Sequence, residues 1–324
     1  MRPPFSPVGN PPRSPDSGFT ILELLAAMAV LALLVAMVAQ ITNSASATVS
    51  GSRKHMDADS QARAIFDRMA TDIGKMVKRR DMDCIVKGSS NDAPNNPPTM
   101  PGNDAMFLFS EAPGYSSTLT PTQKSPVTLV GYRINESATP GAPAYSLERL
   151  ASAIPWETGA AGSGVAFLTR ASPANTPAPG STIATGWSSS VGAIANNFTD
   201  GTSADYQAIG EQVFRFEYCY LLKDGTFSNS PFIAPHTTAQ GLQDVSAIVV
   251  AFAILDSNSR KIATDLKKLS EALPDANPPT LMAESWKNKI AEAGFASSVG
   301  IPQLAAGQVR IYQRFFYLNN KDAL

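Results

Sequence analysis

Residues 17–41 read SGFTILELLAAMAVLALLVAMVAQI. From Phe19 to Ile41 the run is apolar except at Thr20, Glu23 and Gln40. At 1.5 Å of rise per residue such a run crosses the ~30 Å hydrocarbon core of a bilayer. Leu, Ala, Met and Val dominate it, and it holds neither Pro nor Gly, so its composition predicts a membrane-spanning helix. Glu23 is the anomaly. A lone carboxylate in hydrocarbon costs several kcal/mol, so an acid in this place points to function rather than filling.

The flanks narrow the reading. Residues 1–18, MRPPFSPVGNPPRSPDSG, are too rich in Pro and too poor in apolar residues to form a core of their own. A secretory signal places its small-residue cleavage site after the apolar stretch. Here the candidate, Gly18, stands before it, which is the wrong order for ordinary secretion. Arg2 and Arg13 precede the run while Arg53 and Lys54 follow it, so counting charges does not orient the helix.

Gly18, Phe19, Thr20 and Glu23, at fixed offsets ahead of about twenty apolar residues, closely resemble the prepilin signal of type IV pilins and type II secretion pseudopilins. The resemblance implies that a membrane prepilin peptidase cuts after Gly18 on the cytoplasmic side. It then methylates the new amine of Phe19. Glu23 matches the acid that the family carries one helical turn inside the mature chain. That acid would neutralise the ammonium of its own chain or of a neighbouring subunit, and a paired acid is far cheaper to hold in apolar surroundings than a lone one. Ala26, Ala27, Ala29, Ala32 and Ala36 would let other pilin-like helices approach closely. Many major pilins carry a proline where Gln40 stands here, which leans away from a major pilin.

The remaining chain fits such a protein. With 324 residues, a formal charge of −1 and 16% charged residues, it has length for a sizeable core and no basic excess to attract nucleic acid. Residues 42–52, TNSASATVSGS, either continue the helix or loosen it near Gly51. Beyond them Ile65, Met69, Ile73 and Met76/Val77 form an apolar stripe with Phe66 beside it, and Lys75, Lys78, Arg79 and Arg80 gather at its end. The expected fold class is α+β: a long N-terminal pilin-type helix packed on an antiparallel β-sheet head with long loops. The expected division is a leader at 1–18, a transmembrane helix at 19–41, its amphipathic continuation at 42–82 and a periplasmic head at 83–324.

Within the head, strands are expected at 105–109, 127–134, 145–150, 212–222, 245–256 and 308–318, the fifth as a buried central strand because it is nearly all apolar and the last with helix as the alternative. Short helices are expected at 262–273 and 281–293, and loops at 88–104 and 171–205. The aromatic strand VFRFEYCYLL, the turn KDGT and the apolar strand after them resemble the arrangement in J-type pseudopilins and large minor pilins. The aromatic C-terminal RIYQRFFYL is similar to that of the verrucomicrobial prepilin-like cassette protein C family.

A catalytic constellation is not evident. His55 and His236 are the only histidines, and no metalloprotease, nucleophile-elbow or P-loop motif occurs. Cys84 and Cys219 make one disulfide in an oxidising compartment, or stay as two buried thiols. Asp200 and Asp205 lie in a Gly/Ser-rich loop and are weak candidates for calcium; no cofactor is otherwise expected. Lys223-Asp224-Gly225 reads as turn chemistry, and Trp156 and Trp187 read as packing residues. The leading reading is therefore a minor pseudopilin or pilin subunit in the inner membrane, N-terminus cytoplasmic and head periplasmic, with prepilin peptidase and other pilin-like subunits as partners. The alternatives are an adhesin-like or other binding head on a membrane anchor and, lower, a signal-anchored hydrolase.

Overall fold

The computed structural model describes residues 20–77, 102–114, 128–136, 144–153, 206–229, 231, 242, 244–263, 265–275 and 277–318. In chain order these form α1 (Ile21–Gly74), β1 (Met106–Ser110), β2 (Thr128–Asn135), β3 (Ser146–Ala153), β4 (Tyr206–Gly210), β5 (Val213–Leu222), β6 (Phe227–Ser228) and β7 (Val245–Ile254). There follow α2 (Ser257–Ile262), α3 (Leu266–Glu271), α4 (Met282–Ala291), α5 (Phe295–Val299), α6 (Gln303–Ala306) and β8 (Arg310–Tyr317). The class is α+β, as expected. Contacts divide the chain into two units, Met1–His55 and Met56–Leu324.

In the first unit α1 leaves its side chains exposed from Thr20 to Ser46. Among the described residues, α1 is the one helix long and apolar enough to cross a membrane. The small polar stretch 42–52 stays helical. Its two threonine hydroxyls find acceptors inside the helix: Thr42 Oγ1 donates to the Val38 carbonyl and Thr48 Oγ1 to the Ser44 carbonyl, each at 2.9 Å. Such bonds satisfy a polar side chain without recruiting a partner from elsewhere.

In the second unit the same helix becomes one-sided. Ala58, Ala62, Ile65, Phe66, Met69 and Ile73 are buried, so the expected stripe is present and begins earlier, at two alanines. The helix stops at Gly74 instead of continuing to 82. Beyond Gly74 the backbone groups that would extend it are taken by β1: Val77 N–H donates to the Phe109 carbonyl and Glu111 N–H to the Lys75 carbonyl, both at 2.9 Å. Met76 thereby forms an antiparallel bridge with Ser110. Residues 78–82, with the basic residues at 78–80, lie outside the described residues.

Two antiparallel four-stranded sheets make up the rest, in the orders β1-β2-β3-β4 and β6-β5-β7-β8. β7 is central and almost wholly buried, as its apolar run predicts. Its alternation sorts two surfaces. Phe252 faces α1, its ring 4.6 Å from that of Phe66. The opposite surface carries Ala247, Val249, Ala251 and Ala253. In register, Ala251 lies across from Glu217 and Ala253 from Arg215. Small side chains on β7 thus leave room on that face for a buried ion pair. Arg215 Nη2 lies 3.1 Å from Glu217 Oε1 and 2.6 Å from Asp275 Oδ1.

The helices between β7 and β8 are shorter than the apolar pattern suggests. The helix expected over 262–273 is present only as α3, which starts later at its Asp265 cap, and a separate helix not expected from the pattern, α2, precedes it with Asp256 as its cap. Trp286 anchors α4, fully buried, with its indole N–H donating to the Pro274 carbonyl at 2.7 Å.

Candidate functional site

The N-terminus of α1 is closed by its own side chains. Thr20 N–H and Thr20 Oγ1 both donate to Glu23 Oε2 at 3.0 Å. In return Glu23 N–H donates to Thr20 Oγ1 at 3.3 Å. This is a capping box: a threonine cap and a glutamate three residues on satisfy each other's backbone donors. The first intrahelical bond, Leu24 N–H to the Thr20 carbonyl at 3.1 Å, confirms Thr20 as the cap. The acid that is anomalous in composition therefore has a partner in its own first turn, on an exposed helix end. Thr20 is one residue of the prepilin-like signal in the sequence, where it is given no role of its own; the Thr-x-x-Glu spacing directly before the apolar run is the signal of its cap.

Gly18 and Phe19, the expected processing pair, lie outside the described residues, as do Cys84, His236, Asp200, Asp205, Trp156 and Trp187. Cys219 is buried in β5 at 2% exposure. His55 is half-buried on α1. The Lys223-Asp224-Gly225 stretch is a turn, with Gly225 at φ +87 and Thr226 N–H donating to Asp224 Oδ1. Among the described residues no three His, Cys, Asp or Glu side chains gather as a metal ion would need.

The polar chemistry of the head instead grips the helix. Asp72, on α1, is fully buried. Its carboxylate accepts from Arg149 Nε at 2.6 Å, from Arg149 Nη2 at 2.9 Å and from the Tyr132 hydroxyl. Ser110 Oγ donates to the Asp72 carbonyl oxygen at 2.9 Å. One acid thus ties α1 to β1, β2 and β3, and the bidentate guanidinium fork gives the contact direction as well as strength. Burial, then the charge of Asp72, pushes the Tyr132 hydroxyl well above its ordinary pKa. Burial pulls the Arg149 pKa down, but the hydrogen bonds and charge of Asp72 outweigh it and the net shift is upward. At the surface Tyr312 donates to Asp59 at 2.6 Å and Arg314 to Asp67 at 3.1 Å, fastening β8 to the same helix.

Nothing among curated proteins or solved structures matches the chain. Residues 13–39 match the prokaryotic N-terminal methylation motif. That stretch contains Gly18, Phe19, Thr20 and Glu23 together with most of the apolar run. A methylation motif at the head of a long apolar helix, with an α+β remainder, supports a membrane-anchored, type IV pilin-like prepilin.

Proposed function

We propose that the chain is a minor pseudopilin or minor pilin, a structural subunit of an envelope filament of the type II secretion or type IV pilus kind. Prepilin peptidase removes residues 1–18 on the cytoplasmic face and methylates the amine of Phe19. α1 then holds the subunit in the inner membrane with the Met56–Leu324 unit on the periplasmic side. Other pilin-like subunits pack along the exposed half of α1, and Glu23 meets the ammonium of a neighbour. The observation that carries this reading is the methylation motif over residues 13–39, whose apolar part from Ile21 onward lies on a helix with an exposed first half. The size of the folded head and Gln40 in place of a proline favour a minor over a major subunit.

Processing is the direct test. In cells with an active prepilin peptidase, the isolated protein begins at Phe19 and carries one added methyl group by intact mass. Gly18→Leu puts a branched side chain where the peptide must enter the peptidase, and leaves the leader attached. Recovery of unmodified Met1 on the natural sequence in such cells overturns the reading.

A further inference from the structure

We propose that the free edge of β8 is a docking surface that takes an extended strand, bearing an acidic side chain, from the head of a different pilin-like subunit; the proposal rests on the reading of the chain as one of several such subunits in a membrane. Leu318 N–H donates to the Ser246 carbonyl at 2.9 Å, and β8 pairs residue for residue with β7 without a bulge. Backbone groups alternate in direction along an antiparallel strand, so Ile311, Gln313, Phe315 and Tyr317 turn theirs away from β7. Among the described residues nothing bonds to those backbone groups. The other edges of the two sheets are closed or cut short. Residues 75–77 run along β1. On β5, in the stretch that β6 does not reach, Asn103 Oδ1 accepts from Phe216 N–H at 2.9 Å and Asp104 Oδ2 from Tyr218 N–H at 3.0 Å. β4 has five residues and a break in its register with β3. β8 has eight residues, no Pro or Gly, and a Tyr317 that is 71% exposed. What such an edge selects is polypeptide backbone in extended form.

Geometry and charge define whose backbone. Antiparallel pairing of two β8 strands needs a two-fold axis normal to the sheet. The bonds from Tyr312 to Asp59 and from Arg314 to Asp67 lay α1 along that sheet. The axis would therefore set the two α1 segments in opposite directions, whereas helices anchored from one side of a membrane run the same way. A second copy paired through its own β8 does not fit, and a strand of a different subunit does. β8 carries Arg310 and Arg314 and no acid. Arg314 is 43% exposed in its side chain, and its ion pair with the exposed Asp67 is of little worth. A strand with a carboxylate across from Arg314 and apolar side chains beside Phe315 and Tyr317 completes the edge. So short a pairing is weak between free proteins, and anchoring both partners in one membrane raises their effective concentration enough to use it.

The experiment uses the full chain, expressed with prepilin peptidase in its host. The photo-crosslinker p-benzoylphenylalanine replaces Tyr317, and the products are identified by mass spectrometry. The expected product joins position 317 to a strand in the head of another protein that begins with an N-methylated residue. Phe315→Ala and Phe315→Pro both lose the ring, but only proline loses the outward N–H, a change that an edge strand tolerates. Yield falls roughly tenfold or more from Phe315→Ala to Phe315→Pro, while hydrogen exchange of the β7 amides is unchanged. Arg314→Lys keeps the yield and Arg314→Glu lowers it by a similar factor; both alter an exposed side chain, so this arm decides the matter if proline disturbs β7. Equal yields for Phe315→Ala and Phe315→Pro with β7 protected overturn backbone pairing, and equal yields for Arg314→Lys and Arg314→Glu overturn the acidic partner. A product with a second copy or with a secreted polypeptide overturns the assignment. The same spectra show the N-terminus of this chain. An unmodified Met1 overturns the reading beneath the proposal, whereas a methylated Phe19 without the expected product overturns the docking surface alone.

Discussion

Removing the Asp72 carboxylate would leave the guanidinium of Arg149, a residue 6% exposed, without its charge partner inside the head. An uncompensated buried charge costs more than the net worth of the pair that held it, so Asp72→Ala should destabilise the head by roughly 3–5 kcal/mol. Asp72→Ala combined with Arg149→Met should recover part of that loss, because the second change removes the stranded charge. Urea unfolding of all three proteins checks this; equal midpoints for the single and double variants would show that Arg149 finds other solvation. Gly131 is a second point of tight fit. A Cβ there would stand 2.6 Å from Phe107 Cε1 and 3.5 Å from Leu150 Cβ, both in buried side chains. Gly131→Ala should therefore cost about 1–3 kcal/mol of overpacking in the same measurement, and a neutral result would mean that the Phe107 ring swings aside freely. Neither feature could be read from the sequence. Arg149 lies 77 positions from Asp72, and nothing local marks the two as partners.

At the scale of elements, what was legible was what repeats. The α1 stripe and β5 declare themselves by period, β7 by its unbroken apolar run, and KDGT by its glycine. β4 and β6, five and two residues long, are too short to show alternation and exist because a neighbouring strand pairs with them. α5 is set by Gly294 and Gly300, both at positive φ, which bracket five residues of no strong pattern. The alanines of β7 are a subtler case: they read simply as apolar filler, yet they are small because Glu217 and Arg215 occupy the space opposite. Ala251→Leu should for that reason destabilise by about 1–3 kcal/mol despite being an apolar substitution in an apolar strand. Thermal unfolding would show it, and an unchanged midpoint would place the Glu217 side chain elsewhere.

At the scale of the molecule, the unit Met56–Leu324 carries its own core, so it should fold without the membrane half and unfold in one cooperative transition. Its alkaline limit follows from its tyrosines. Burial, first of all, raises the hydroxyl pKa of Tyr132, Tyr145, Tyr206, Tyr218 and Tyr312. A raised folded-state pKa means that the folded chain binds the proton more tightly than the unfolded chain. The resulting stability is complete below the unfolded value of about 10 and is lost as pH climbs past it. Urea midpoints taken with rising pH should show these tyrosines adding no loss up to about pH 9, then a fall above about pH 10. A midpoint indifferent to alkali would mean that these hydroxyls reach solvent.

The short extended stretch after Gly74 has a consequence for solubility. An edge strand with open N–H and C=O groups is a template on which a foreign strand can grow, and a protein crowded among its own kind is the most exposed to that hazard. The Lys75–Met76–Val77 backbone lies along β1 and uses the carbonyl of Phe109 and the N–H of Glu111. The same chain that leaves the helix thus blunts one border of the first sheet. Sticking between heads through that border is discouraged.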